Sequence, residues 1–182
     1  MKANNFLKIF LIVTFSMILS DTCFGSVNYW PRIRAVNTYF NNNYDVTDDL
    51  SLWAQEDHWA TPEEFEAKGA GDCEDFAIAK YFKLVAQNVP KELLVLSYVT
   101  LNGNQAHMVL LYHELADDTW FVLDNYNPVI LPVSKRFDMD FIYSFNESGV
   151  WLPSQTVVGK KVGEASSLSK WQDILSKVAT NK

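Results

Sequence analysis

The chain has 182 residues, 48% hydrophobic and 14% aromatic, with 15 basic against 22 acidic residues and a net charge of −7. That length buries one sizeable core and is short for two full domains, so a single globular domain is expected. The acidic balance argues against nucleic acid or anionic lipid as a partner, because a negative surface repels both.

Residues 1–25 read as a secretory signal peptide. Lys2 and Lys8 supply positive charge, residues 6–19 are apolar, and Cys23-Phe24-Gly25 sets small residues three and one before a cleavage point ahead of Ser26. A membrane anchor is the competing reading, but the apolar stretch is shorter than the roughly 20 residues a spanning helix needs. Cleavage removes Lys2, Lys8 and Asp21, leaving 13 basic against 21 acidic residues and a net charge of −8. It also removes Cys23, so that Cys73 becomes the single thiol of the expected domain, residues 26–182. Such a thiol has no intramolecular disulfide partner and, in an oxidising compartment, is buried or put to use.

Residues 27–43 carry a weak helical pattern, interrupted early by Pro31 and ended by the asparagines at 41–43. Residues 45–59 read as polar and irregular. Thr61-Pro62-Glu63-Glu64 reads as a helix start, with a threonine cap, proline in the first turn and Glu64 placed for a capping box. Gly69 and Gly71 stop that helix. The next is expected over residues 72–87, where Cys73, Phe76, Ala77, Lys80, Tyr81, Leu84 and Val85 recur at steps of three and four, with Cys73 in the first turn.

After Pro90 the character turns to strand. Residues 93–101, 105–115 and 120–125 are rich in branched and aromatic side chains, with turns at Asn102-Gly103 and Asp117-Asp118. Further strands are expected at 129–133 and 141–145, and an amphipathic helix at 167–179 with Leu168, Trp171, Ile174, Leu175 and Val178 on one face. Helices in the first half packed on an antiparallel sheet make an α+β domain.

A cysteine at a helix entrance suggests a nucleophile. Thiolate is the attacking species, and free helix N–H groups together with a nearby imidazole lower a thiol pKa from about 8.5. Asp72, Glu74 and Asp75 oppose this unless something neutralises them. Three histidines are available as a base. His58 lies in a polar segment and His113 near a strand end, so both read as structural or surface residues. His107 sits in the apolar run Gln105-Ala106-His107-Met108-Val109-Leu110, and Asp124 ends the next strand, where an antiparallel neighbour can place the two side chains together. Taken singly, each member has an ordinary explanation: a small buried thiol, a satisfied core histidine, the first polar residue of a turn. Taken together they point to Cys73 as nucleophile, His107 as base and Asp124 as the group orienting that base.

The string Gly69-Ala70-Gly71-Asp72-Cys73-Glu74-Asp75-Phe76-Ala77-Ile78-Ala79-Lys80-Tyr81, preceded by Asp57-His58-Trp59-Ala60-Thr61-Pro62, resembles the bacterial transglutaminase-like cysteine proteinases. His107-Met108-Val109-Leu110 and Leu123-Asp124-Asn125 match that family's histidine and aspartate segments, in the same chain order. The resemblance covers almost all of the chain after residue 25. It implies a papain-like, transglutaminase-type core and a periplasmic endopeptidase whose substrate is the N-terminal region of a large cell-surface adhesin, cut at paired alanines to release a biofilm. It also implies control by an inner-membrane cyclic-di-GMP receptor, and Ca²⁺ beside the nucleophile on Asp72 and Glu74, with Asp75 as a third candidate. His58 departs from the tyrosine more usual at its position. Two rivals use the same residues: a transglutaminase or N-acyltransferase that gives the thioester to an amine, and a noncatalytic calcium-dependent binding module.

Overall fold

The computed structural model describes residues 27–154 and 157–180. The expected signal peptide, its cleavage point and Cys23 lie outside the described residues. Helix α1 (Trp30–Asn43) buries Ile33, Val36, Asn37 and Phe40 along one face. Pro31 does not interrupt it but stands in its first turn, where the missing N–H has no intrahelical partner to lose. The stretch read as irregular contains a two-residue strand, β1 (Asp45–Val46), and a short helix, α2 (Asp49–Trp53). Asp48 caps α2, its carboxylate accepting from the Ser51 backbone N–H at 3.0 Å. Neither element is long enough to show a period.

Helix α3 (Pro62–Lys68) begins at the expected capping box: Thr61 Oγ1 accepts from the Glu64 N–H at 3.2 Å, and Glu64 Oε2 accepts from the Thr61 N–H at 2.8 Å. Gly69 ends it in the left-handed region at φ 72°. Strand β2 (Ala70–Gly71) then pairs in parallel with β1 and hands the chain to α4 (Cys73–Ala86). That helix buries Asp75, Phe76, Ala77, Ile78, Ala79, Lys80, Tyr81 and Leu84, so it runs through the core rather than over it.

Seven antiparallel strands follow: β3 (Leu94–Leu101), β4 (Gln105–Glu114), β5 (Thr119–Leu123), β6 (Leu131–Pro132), β7 (Met139–Asn146), β8 (Gly149–Leu152) and β9 (Lys160–Gly163). Their order across the sheet is β6-β5-β4-β3-β7-β8-β9. The strand expected at 129–133 shrinks to β6, because Pro132 offers no N–H for a longer ladder. Strands β8 and β9 were not anticipated; they are four residues each, too short for alternation to stand out. Helix α5 (Ser169–Thr180) closes the chain and buries Trp171 and Ile174. No described helix is long and apolar enough to cross a membrane.

Alternation divides the central strands between two cores. Leu94, Leu96, Met108, Leu110, Tyr112 and Leu123 pack with Phe40, Phe65, Phe76, Tyr81 and Trp171 from the helices. Val95, Val99, Val109, Leu111 and Val122 face the other way, onto a smaller cluster with Met139 and Val157. Helices gathered on one face of an antiparallel sheet give the α+β class expected.

The entrance to α4 is tightly packed. A Cβ placed on Gly71 would come within 2.5 Å of Asp75 Oδ2 and 2.7 Å of Phe65 Cδ2. Gly71→Ala is therefore expected to lower stability by about 1–3 kcal/mol, read as a drop in the urea midpoint; a midpoint equal to the wild type's would show that the entrance yields freely.

Candidate active site

Cys73 is the first residue of α4, set there by the turn at Gly69 and the close passage of Gly71 over Asp75 and Phe65. Its half-buried Sγ donates a hydrogen bond to Glu74 Oε2 at 2.8 Å. The thiol pKa is pushed well above the ordinary thiol value, first by burial, then by the charge and hydrogen bond of Glu74 and the charge of Asp72. The Met108 backbone amide beside the sulfur acts in the opposite sense. The lowering expected from a helix N-terminus is thus outweighed by burial and by the carboxylates around it.

Strand β5 pairs with β4 only over residues 110–114, so residues 105–109 of β4 have no β5 neighbour. One step past the last pair, Leu110 with Leu123, the chain sets Asp124 near Val109 and within diagonal reach of His107. His107 Nε2 and Asp124 Oδ1 are 2.8 Å apart, in side chains 5% and 0% exposed. Asp124 Oδ1 also accepts from the Tyr126 backbone N–H at 2.9 Å, and Oδ2 from Arg136 Nη2 at 2.8 Å. Burial raises the Asp124 pKa, yet the hydrogen bonds and charges of His107, the Tyr126 amide and Arg136 outweigh it and hold the carboxyl below its ordinary range. An ionised carboxylate only accepts, so Nε2 of the neutral imidazole carries the proton and Nδ1 is left as the basic nitrogen.

His107 and Asp124 are therefore in direct contact, and the Cys73 sulfur lies against Met108, the residue after His107 on β4. The arrangement supplies a thiol, a base of fixed tautomer and a group that stabilises an imidazolium, which are the parts acyl transfer through a thioester needs. His58 and His113 lie elsewhere. His58 packs on Trp53 at 4.3 Å, with Nε2 3.9 Å from Glu64; His113 stacks on Trp120 and pairs with Asp118 at 2.8 Å. Two basic residues were missed by the sequence reading. Arg136 reaches back 12 positions to Asp124, a separation with no local signal. Lys80 is fully buried on α4, its pKa pushed down to about 7 by burial against the opposing pull of Asp124.

The acids at the α4 entrance form two overlapping groups that could hold a metal ion: Asp72, Cys73 and Glu74, and Asp49, Asp72 and Asp75. Asp49, at the start of α2, was missed because it lies 23 residues before Asp72 in a segment without pattern. Its Oδ2 accepts from the His58 backbone N–H, and Asp75 Oδ1 accepts from the Ala60 N–H at 2.8 Å. Asp49 Oδ1, Asp72 Oδ1 and Asp75 Oδ2 are buried without a hydrogen-bond partner among the described residues. Burial, then mutual repulsion with Glu74, Asp75 and Asp49, pushes Asp72 up to about 9. Burial pushes Asp75 up to about 7, with Asp49 and Glu74 adding to the rise. Three carboxylates that each carry an orphaned oxygen, and that each offer an oxygen within 4.8 Å of the others', fit a hard cation with oxygen ligands.

Residues 21–154 match the family model of the bacterial transglutaminase-like cysteine proteinases, BTLCP. The chain belongs to this family. Among solved structures it is similar to LapG of Legionella pneumophila in its calcium-bound form, at 36% identity over 84% of this chain and 82% of that one, with a TM-score of 0.70. The EGTA-treated form of the same protein aligns at 37% identity over 84% and 80%, with a TM-score of 0.72. No curated protein sequence matches. The papain-like α+β core expected of the family is the fold seen, and the chain is a bacterial transglutaminase-like cysteine peptidase.

The ion pairing of Asp124 has a pH signature. A carboxyl whose folded pKa is depressed contributes stability that is complete above its unfolded value of about 4 and is lost as pH falls through the folded value. Asp124→Asn is expected to cost about 3 kcal/mol at neutral pH, with the gap to the wild type closing as urea midpoints are followed toward about pH 3. A gap that stays constant with pH would contradict the buried carboxylate being charged.

Proposed function

We propose that this chain is a periplasmic, calcium-dependent cysteine endopeptidase that cuts the N-terminal region of a large surface adhesin, releasing it and dispersing a biofilm under the control of an inner-membrane cyclic-di-GMP receptor. The observation that carries the peptidase part is the His107–Asp124 contact beside the helix entrance that bears Cys73. The compartment, the substrate and the receptor rest on the signal-like residues 1–25 and on likeness to the family.

In this reading His107 Nδ1 takes the thiol proton as the Cys73 sulfur attacks the scissile carbonyl, and Asp124 stabilises the imidazolium that forms. The tetrahedral oxyanion is met by the Cys73 backbone N–H at the start of α4. His107 then protonates the leaving amine, the C–N bond breaks, and the acyl group stays on sulfur as a thioester. A water deprotonated by His107 attacks that thioester, and the carboxylic acid leaves as the thiol regains its proton.

Asp49, Asp72, Glu74 and Asp75 would hold Ca²⁺, on the orphaned oxygens described above and on likeness to the calcium-bound LapG structure. When bound, Ca²⁺ supplies positive charge beside the sulfur, offsetting the carboxylates that keep the thiol protonated.

Incubation with N-terminal fragments of large adhesins from the same genome is expected to give one discrete cut, and Cys73→Ala to abolish it while the unfolding midpoint is kept. Cleavage retained by the purified variant would refute the assignment. Chelation is expected to lower both the thermal midpoint and the cleavage rate, with Ca²⁺ restoring them in preference to Mg²⁺. Asp49→Asn should blunt the calcium-induced rise in thermal midpoint; a variant that responds as the wild type does would remove Asp49 from the ligand set.

A further inference from the structure

We infer that Arg136 is a positioning residue of this site, holding the Asp124 carboxylate ionised and fixed in rotation so that His107 keeps its proton on Nε2. The inference rests on the reading of His107 as base and Asp124 as its orienting group. Arg136 follows the single turn at Val133–Lys135 and precedes β7, its backbone N–H bonded to Val133 O at 3.0 Å. Its side chain is 1% exposed. Nη2 donates to Asp124 Oδ2 at 2.8 Å, while Nε and Nη2 donate to Asp138 Oδ1 and Oδ2 at 2.9 and 2.8 Å.

The two oxygens of Asp124 are thereby divided: Oδ1 serves the imidazole and the Tyr126 amide, and Oδ2 serves the guanidinium. A carboxylate held at both oxygens cannot rotate away from the ring. Asp138, 40% exposed, fixes the guanidinium from the solvent side through a planar fork that a lysine cannot reproduce. The Asp124 backbone is fixed as well, Asn41 Nδ2 on α1 donating to its carbonyl oxygen at 2.7 Å.

The charge balance gives Arg136 its weight. The charged and titratable groups facing Asp124 are His107 on β4, Lys80 on α4, Arg136, and Asp138 behind Arg136. His107 must change protonation during the reaction, and Lys80 is buried with no hydrogen-bond partner for Nζ among the described residues, its affinity for a proton weakened by burial. A guanidinium keeps its charge throughout. Among the described residues Arg136 is therefore the one permanent cation against a carboxylate with no solvent exposure.

The test reads the imidazole and the carboxylate directly by NMR, with His107 assigned by the loss of its signals in His107→Gln. In the wild type the ring nitrogens should report the Nε2–H tautomer, with Asp124 ionised to the lowest accessible pH. In Arg136→Gln the Asp124 midpoint should rise by about 1–3 pH units and His107 should become a mixture of tautomers. Arg136→Lys should lie between the two. In an Asp124→Asn background Arg136→Gln should leave the His107 signals where Asp124→Asn alone puts them, whereas a general structural role would shift them again. A folded Arg136→Gln with unchanged Asp124 midpoint and His107 tautomer overturns the inference. Should that variant not fold, Arg136→Lys decides, and wild-type values for both groups overturn it equally. None of these signals depends on cleavage, so failure of the peptidase reading, seen as cutting by Cys73→Ala, is told apart from failure of this one.

Discussion

A carboxylate with no solvent exposure lies at the centre of the site, and the geometry around it depends on how its charge is compensated. Asp124 is cut off from water, which is costly for an ion unless donors replace the lost hydration. Three do so, from three parts of the chain: the imidazole of His107 on β4, the Tyr126 amide in the loop after β5, and the guanidinium of Arg136 ahead of β7. The short β5 makes room for this arrangement, since it ends opposite Leu110 and leaves the first half of β4 open where α4 meets the sheet. Fold and chemistry meet at that opening.

The second constraint is the opposite one, negative charge gathered without compensation. Glu74 and Asp72 flank the sulfur, and Asp49, Asp72 and Asp75 each keep one buried oxygen with no donor among the described residues. Burial first, and then these carboxyls, raise the pKa of Asp72 and of Cys73, so the chain alone favours a protonated thiol at its helix entrance. A cation held on the same oxygens would offset that negative field. Under the proposed calcium site, activation of the sulfur and occupancy of the acid cluster would be coupled, and calcium would act as a condition for nucleophilicity as well as a staple between α2 and α4.

Much of this was legible in the sequence where the signal is local. The capping box at Thr61 and Glu64, the αL glycine at 69, the three- and four-residue spacing of α4 and the long central strands all appear where the pattern put them. Cys73, His107 and Asp124 stood out because a thiol at a helix start and a histidine in an apolar strand are unusual company. What escaped is what local pattern cannot encode. Asp49 joins the acid cluster only through the parallel β1–β2 bridge that folds α2 onto the α4 entrance. Arg136 is reached only through the return of the chain after β6, so nothing near it in sequence pairs it with Asp124. The direction of the thiol pKa shift was missed, because the helix N-terminus is visible in sequence while the burial that is the largest cause of the rise is not.

The proposed chemistry turns on the Cys73 sulfur as the attacking atom and on His107 as the group that activates it. A peptide carrying a chloromethyl ketone in place of the scissile carbonyl's leaving group, built on the mapped cut site, tests this in calcium-loaded protein by mass analysis of the labelled chain. Stoichiometric label on Cys73 is expected, lost in His107→Gln while that variant remains folded. Label on another residue, or on Cys73 at an undiminished rate without His107, would contradict it.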